Sequence, residues 1–346
     1  FHEEMERYVD RKRIKTESVA LIYSAIDTTT NSPVAIKEVD EDLQAKPHDI
    51  KREVAFLKQQ QSEAKGHNFL EFIDSFQKFD DIFLVTPLYD LDLQSLISKY
   101  RKKSIAFNLE DPSLNNFVYK NHFPVETATQ IFISLTKTLD YLHNKAQIIH
   151  RDIKPGNIFF KLSDLNNPII GDFGTIFDLI ENKSEVEDDE LTLKKGSNHN
   201  KILKHTDVCT GIYKPPELCL GKADYNHKID LWSLGIVIQQ LFSKSGESCL
   251  SEAIGRGDIA LLHCIFQKFG TPSNDSSTRE LYWPEMATQN IFTSFNFEQH
   301  ERTKISELMP RAPDYVQNVW NQMMVYESNS RINELEAVES LSRPAE

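Results

Sequence analysis

Four short stretches of the chain carry side chains that could together move a phosphoryl group. Lys37 closes the apolar run VAIK, and Glu53 lies in the next amphipathic segment. Residues 150–157 read HRDIKPGN, with Asp152, Lys154 and Asn157, and residues 171–174 read GDFG, with Asp172, behind the apolar pair Ile169 and Ile170. Phosphoryl transfer needs a carboxylate beside the attacking hydroxyl and an amide and a second carboxylate for Mg²⁺. It also needs a lysine on the α- and β-phosphates, held by a glutamate. Asp152, then Asn157 and Asp172, then Lys37 with Glu53 supply those groups. Singly, each has an ordinary reading: Lys37 and Glu53 as a surface ion pair, Asp152 as a turn cap. Specificity comes from five roles in one order with suitable elements between them.

Those elements follow from the apolar pattern. From Tyr8 to Asp40 the chain alternates as strands do, with VALIYSAID and PVAIKEVD flanking a turn at Thr28–Pro33, which predicts a β-hairpin. After Pro47, Ile50, Val54 and Leu57 recur at helical spacing until the polar stretch QQQSEAKGHN. FLEFIDSF and DIFLVTPLY restore strand character and complete a small sheet before Asp90. Beyond Pro124 the period becomes helical, with Ala128, Ile131, Leu135, Leu139 and Leu142 on one face, and DLWSLGIVIQQLF reads as a more deeply buried helix. Two segments read as solvated, mobile loops: Arg101–Phe123, opening on RKK, and Glu181–Glu190, where six of ten residues are acidic.

The length of 346 residues suits one large domain or two lobes with separate cores, and 40% hydrophobic with 26% charged residues excludes disorder over the whole chain. A net charge of −13 disfavours the basic footprint that nucleic acid requires. Cys209, Cys219, Cys249 and Cys264 form no CxxC pair and are too few for a disulfide scaffold, so a reducing, intracellular compartment is expected. Leu231–Phe242 is too short to span a bilayer, so no membrane is expected as partner. The N-terminus carries charge at once and lacks the apolar core of a secretion signal, and its start at Phe1 suggests trimming.

With these motifs in order, the sequence resembles the eukaryotic protein kinases from about residue 8 to residue 340. The resemblance implies an α+β, bilobal fold. Residues 1–90 would form a β-rich N-lobe with a five-stranded sheet and one key helix, and residues 91–346 a larger, mainly helical C-lobe. It implies ATP and Mg²⁺ as cofactors, with Asn157 and Asp172 as metal ligands. Ile14, Ala35, Lys37, Thr86, Pro87, Tyr89 and Asp92 would line the nucleotide site, with Thr86 to Tyr89 matching the gatekeeper and adenine hinge. TGIYKPPE, residues 210–217, resembles the end of an activation segment that begins at Phe173 and Gly174 and includes Thr206, Lys214 and Glu217. Thr210 is expected to bridge Asp152 and Lys154, and Arg331 to pair with Glu217.

The chain also departs from the family pattern. Where the phosphate-covering loop should read GxGxxGxV it reads KTESVALI, with Lys15, Glu17 and Ala20 in the glycine positions, which leaves Lys15 to supply charge. HCIFQKFGTPSND and the later Tyr282–Pro284 are similar to the insert of cyclin-dependent kinases. PHDIKRE stands where those kinases carry PSTAIRE, so Lys51 replaces the isoleucine that a cyclin grips. Two arginines of the usual phosphate-binding cluster survive as Arg52 and Arg151, a third is replaced near Phe177, and His205 takes the phosphothreonine position beside Thr206. Together these features resemble the monomeric CDK-activating kinases of budding yeasts. That implies transfer to the activation-loop threonine of a cyclin-dependent kinase, no obligate cyclin, a monomer, and cytoplasmic residence extending to the nucleus. The alternatives are another CDK-like signalling kinase or a non-catalytic scaffold.

Overall fold

The computed structural model describes residues 2–186, 201–285 and 297–343. After a short helix α1 (His2–Arg7), strands β1 (Tyr8–Thr16), β2 (Ala20–Asp27), β3 (Ser32–Asp40), β4 (Asp74–Lys78) and β5 (Asp81–Pro87) form an antiparallel sheet in the order β1-β2-β3-β5-β4. In β3 the two-residue period separates Val34 and Ile36, which pack with Tyr8, Phe76 and Phe83, from Ala35 and Lys37, which face the interlobe cleft. Helix α2 (Ile50–Gln59) starts where the Asp49 carboxylate accepts from the Arg52 N–H at 3.1 Å. Its buried face carries Ile50, Phe56 and Leu57, and with them Glu53.

FLEFIDSF is strand only from Asp74 onward. The preceding backbone is committed elsewhere: Leu70 N–H donates to Ile170 O at 2.9 Å and Ile170 N–H to Asn68 O at 3.1 Å, tying the sheet to the strand that leads into GDFG.

The second lobe is built around two helices that pack together, Val125–Asn144 and Lys228–Phe242. The expected stripe Ala128, Ile131, Leu135, Leu139 and Leu142 is wholly buried, and every residue from Ile229 to Phe242 is buried as well. An added Cβ at Gly235 would run into the Met324 thioether, which would have to move, and Trp320 Nε1 donates to Gly235 O at 2.7 Å. Trp283 stacks on Tyr326 at 5.5 Å. All four cysteines are free, and among the described residues no helix is long and apolar enough to cross a membrane.

Arg101–Phe123 is not the loop its polar composition suggests. Strands Arg101–Ala106 and Asn116–Asn121 pair antiparallel from Arg101↔Asn121 to Ala106↔Asn116, because SIAF and NFVY flank an Asp111-capped turn. Both ends are anchored: Arg101 Nε donates to Ser245 O at 2.9 Å, and Asn121 Nδ2 donates to Leu241 O and Ser243 O at 2.9 Å each. The tip remains open to solvent, with Phe107 73% and Leu109 96% exposed. Of the acidic run, Glu187–Glu190 lies outside the described residues. Glu185 departs from the solvated reading, because its side chain is only 13% exposed and meets Arg151.

A buried charge triad joins the helices. His143 Nε2 lies 2.7 Å from Asp230 Oδ2 and His143 Nδ1 lies 2.5 Å from Glu334 Oε1. Burial disfavours the imidazolium, but bonds to two carboxylates outweigh it and lift the His143 pKa to about 9. A histidine whose pKa is raised in the folded state stabilises fully below its unfolded value near 6.5 and loses that contribution as pH rises through the folded value. The melting temperature should therefore fall between pH 6.5 and pH 9 by the equivalent of about 3 kcal/mol, and His143→Gln should flatten that slope. Parallel slopes in calorimetric scans of the two proteins would refute the assignment.

Candidate active site

The turn after Ile149 is shaped by backbone geometry. Arg151 and Asp172 both occupy the left-handed region, at φ 73° and 52°, which costs about 1 kcal/mol each for residues with a Cβ. Asp230 holds the first of them: its carboxylate accepts from His150 N–H at 2.8 Å and Arg151 N–H at 2.9 Å. His150 Nδ1 accepts from Asp152 N–H at 3.1 Å, so the proton sits on Nε2, which donates to Gly171 O at 2.9 Å. This one ring thus couples HRD to GDFG.

Asp152 has both carboxylate oxygens engaged. Thr210 Oγ1 donates to Oδ1 at 2.7 Å and Asn157 Nδ2 donates to Oδ2 at 3.0 Å, while Lys154 Nζ donates to Thr210 Oγ1 at 3.2 Å. The expected bridge by Thr210 is present. Glu217 meets Arg331 at 2.9 and 3.0 Å, also as expected.

Across the cleft, Lys37 Nζ sits 2.9 Å from Glu53 Oε1 and 3.6 Å from Asp172 Oδ1. The other Glu53 oxygen accepts from Phe173 N–H at 2.8 Å, and Gly174 O accepts from Asp49 N–H at 2.8 Å, so α2 is fastened to GDFG at two points. Burial opposes charge on Lys37, but the two carboxylates hold it protonated. Burial likewise opposes ionisation of Asp172, yet the Lys37 charge wins and sets its pKa at about 2. Burial pushes Glu53 above the usual carboxylate range although Lys37 pulls the other way.

Between the lobes lies a cavity of about 300 Å³ whose walls include Ile14, Ala35, Lys37, Thr86, Pro87 and Tyr89. Asp92, Asn157 and Asp172 line it too, so every residue expected at the nucleotide site faces one space. Asp92 has a second task, capping the Leu93–Tyr100 helix through Ser95 N–H at 2.8 Å. Ile22, Leu70, Leu84 and Phe159 also face the cavity and were not singled out from the sequence. Ile22 stands at the valine position of GxGxxGxV and was legible there. Gly171 makes room for Phe159, whose ring would lie 2.4 Å from an added Cβ.

The loop over the cavity is short and polar. Lys15, expected to offer charge to phosphates, is already paired with Glu17 at 2.7 Å. In the activation segment, Phe173 is fully buried and Thr206 is partly exposed next to His205. Lys214 Nζ reaches Asp258 at 2.9 Å. Lys51 pairs with Glu41 at 2.6 Å on the exposed side of α2.

A lysine–glutamate pair, a carboxylate–amide pair and an apolar slot facing one cleft define a phosphotransferase of the protein kinase class, and the protein kinase domain model matches residues 8–340. The chain belongs to that family. Among its relatives are cyclin-dependent kinase D-1 of Oryza sativa subsp. japonica, 26% identical over 345 residues, covering 98% of this chain and 68% of the relative. Serine/threonine-protein kinase CAK1 of Saccharomyces cerevisiae is 28% identical over 309 residues, covering 82% and 77%. Serine/threonine-protein kinase csk1 of Schizosaccharomyces pombe is 24% identical over 291 residues, covering 82% and 78%. The chain is a serine/threonine protein kinase of the cyclin-dependent kinase group.

Because Asp152 lies with Thr210 and Lys154 rather than in the slot wall, Asp152→Asn should abolish transfer and spare nucleotide binding. A loss of at least ~100-fold in kcat with an unchanged ATP dissociation constant is expected in steady-state and fluorescence titrations. Near-normal turnover would overturn the role given to this carboxylate.

Proposed function

We propose that this kinase transfers the ATP γ-phosphate to the activation-segment threonine of a cyclin-dependent kinase, acting as a monomer without a cyclin. The observation that carries the reading is the place taken by Lys214. Proline-directed members of the group carry an arginine in this motif that engages a strained carbonyl. Here Cys209 still holds φ 64°, but Lys214 is spent on Asp258 and cannot make a planar two-pronged contact. Among the described residues no donor is paired with the Cys209 carbonyl, so the arginine contact that accompanies a demand for proline is missing. A substrate with a residue other than proline after its threonine suits such a site, and activation-segment threonines of cyclin-dependent kinases are of that kind.

Lys51 supports cyclin independence, since a charged, paired side chain stands where a cyclin takes an apolar one. In the transfer itself, Asp152 orients the attacking hydroxyl and accepts its proton, while Lys154 and Thr210 hold that carboxylate in place. Lys37 grips the nucleotide phosphates from a position fixed by Glu53. The donor set of Asn157 and Asp172, an amide beside an ionised carboxylate, fits Mg²⁺ with ATP, which together supply the activated phosphoryl group and neutralise its charge.

Purified chain with Mg·ATP and an unphosphorylated cyclin-dependent kinase should place phosphate on the activation-segment threonine with no cyclin present, and prior phosphatase treatment of the enzyme should not slow it. Silence until a cyclin is added, or until Thr206 is phosphorylated, would move the protein to the cyclin-regulated kinases. Separately, a peptide pair differing only after the target threonine should show less than ~3-fold preference for proline. A strong proline preference would overturn the Lys214 argument.

A further inference from the structure

Arg151 presents a chemical problem. The residue immediately before Asp152, it carries a fully buried guanidinium, and a buried cation left without an anion is strongly destabilising. In a kinase set by phosphorylation the anion would arrive on the threonine, but here His205 stands at that position.

Glu185 fills the role from the other arm of the activation segment. Its oxygens accept from Arg151 Nη1 at 2.5 Å and Nη2 at 3.1 Å, the two-pronged geometry that a phosphate would offer. The rest of the guanidinium is also committed, Nε to Thr175 O at 2.6 Å and Nη1 to the Tyr225 hydroxyl at 3.3 Å. The same Glu185 carboxylate accepts from His205 N–H at 3.1 Å, and Glu185 N–H donates to Leu203 O at 2.8 Å. One side chain therefore clasps the catalytic loop to both arms of the segment. Burial works against its ionisation, but Arg151 keeps its pKa below the ordinary glutamate range.

From Arg151 the contacts run on to the reacting groups. Arg151 O accepts from Cys209 N–H at 2.8 Å, and Cys209 adjoins Thr210, whose hydroxyl holds Asp152. The third arginine of the family cluster is replaced by packing: Phe177 lies under the Arg151 guanidinium at 5.7 Å and the Lys204 ammonium at 5.1 Å. Arg52 faces the same region from α2, across a cavity of about 210 Å³ that Lys46, Lys183 and Glu185 also line. Among the described residues the Arg52 side chain has no hydrogen bond or ion pair.

We propose that Glu185 is a built-in substitute for an activating phosphate, a positioning residue that holds Arg151, and through it Thr210 and Asp152, in the working arrangement. The proposal deepens the phosphorylation-independent reading of this site. It rests on the kinase activity alone, not on the identity of the protein substrate.

The test compares Glu185→Gln, Glu185→Ala and Glu185→Asp in the full chain, on a generic basic protein substrate and on a cyclin-dependent kinase. Glu185→Gln fills the same space without charge and should lower kcat ~10–100-fold on both substrates, with KM for ATP changed less than ~3-fold. Glu185→Asp should recover most of the loss. Inorganic phosphate or sulfate at tens of millimolar should partly rescue Glu185→Ala and leave the parent protein unaffected, a response that a purely structural role would not produce. Full kcat in Glu185→Gln would overturn the proposal, as would a loss in Glu185→Ala that neither anion relieves. If Glu185→Ala unfolds at the assay temperature, the isosteric Glu185→Gln decides alone. A parent enzyme active on the generic substrate but not on the cyclin-dependent kinase would instead count against the substrate reading.

Discussion

The ionised carboxylate of Asp230, fully buried on the central helix of the second lobe, is the interaction on which the working geometry depends. Burial alone would drive it towards the neutral acid, but the His143 imidazolium at 2.7 Å and the N–H groups of His150 and Arg151 keep it charged. A buried charge must be met by donors from several directions, and each donor is thereby fixed. Those directions are the end of the Val125–Asn144 helix and the turn that presents Asp152. The strained φ of Arg151 persists because its own N–H and that of its neighbour His150 both end on this helix, at Asp230.

The two lobes share one apolar cluster, and polar contacts across it fix their register. Glu53 contacts Lys37 with one oxygen and the Phe173 backbone with the other, so the position of α2, the side chain on β3 and the GDFG turn are one geometric unit. Phe173 completes it on the apolar side, packing against Phe56, Phe69 and His150. Displacing α2 would strand the half-buried Lys37 and open that aromatic cluster together, which makes the arrangement cooperative rather than adjustable.

Much of this was legible in the sequence because the motifs are local. HRDIKPGN and GDFG place their functional groups within a few residues, and a two-residue or helical period positions Lys37 and Glu53 without knowledge of the rest. What escaped was long-range or hidden by composition. Glu185 sits in an acidic run, and nothing in its neighbours marks it as the partner of Arg151, because the pairing is made only when the segment folds back. The hairpin at Arg101–Asn121 was obscured by its charged opening and a turn rich in Asn, Asp and Ser, although SIAF and NFVY carried strand propensity. The spent charge of Lys15 also required geometry, since a lysine near phosphates and a lysine bound to its neighbour look alike in one dimension.

The hairpin has a topological consequence. Its first and last residues, Arg101 and Asn121, face each other in register, and both are fixed to the 241–247 segment. The chain therefore leaves and re-enters the lobe at nearly one point, so whatever is inserted between those anchors adds loop-closure entropy that grows only slowly with length. Such a seam can be lengthened, shortened or exchanged over evolutionary time while the cleft keeps its dimensions, and kinases sharing this core can differ widely in this appendage without a change in chemistry.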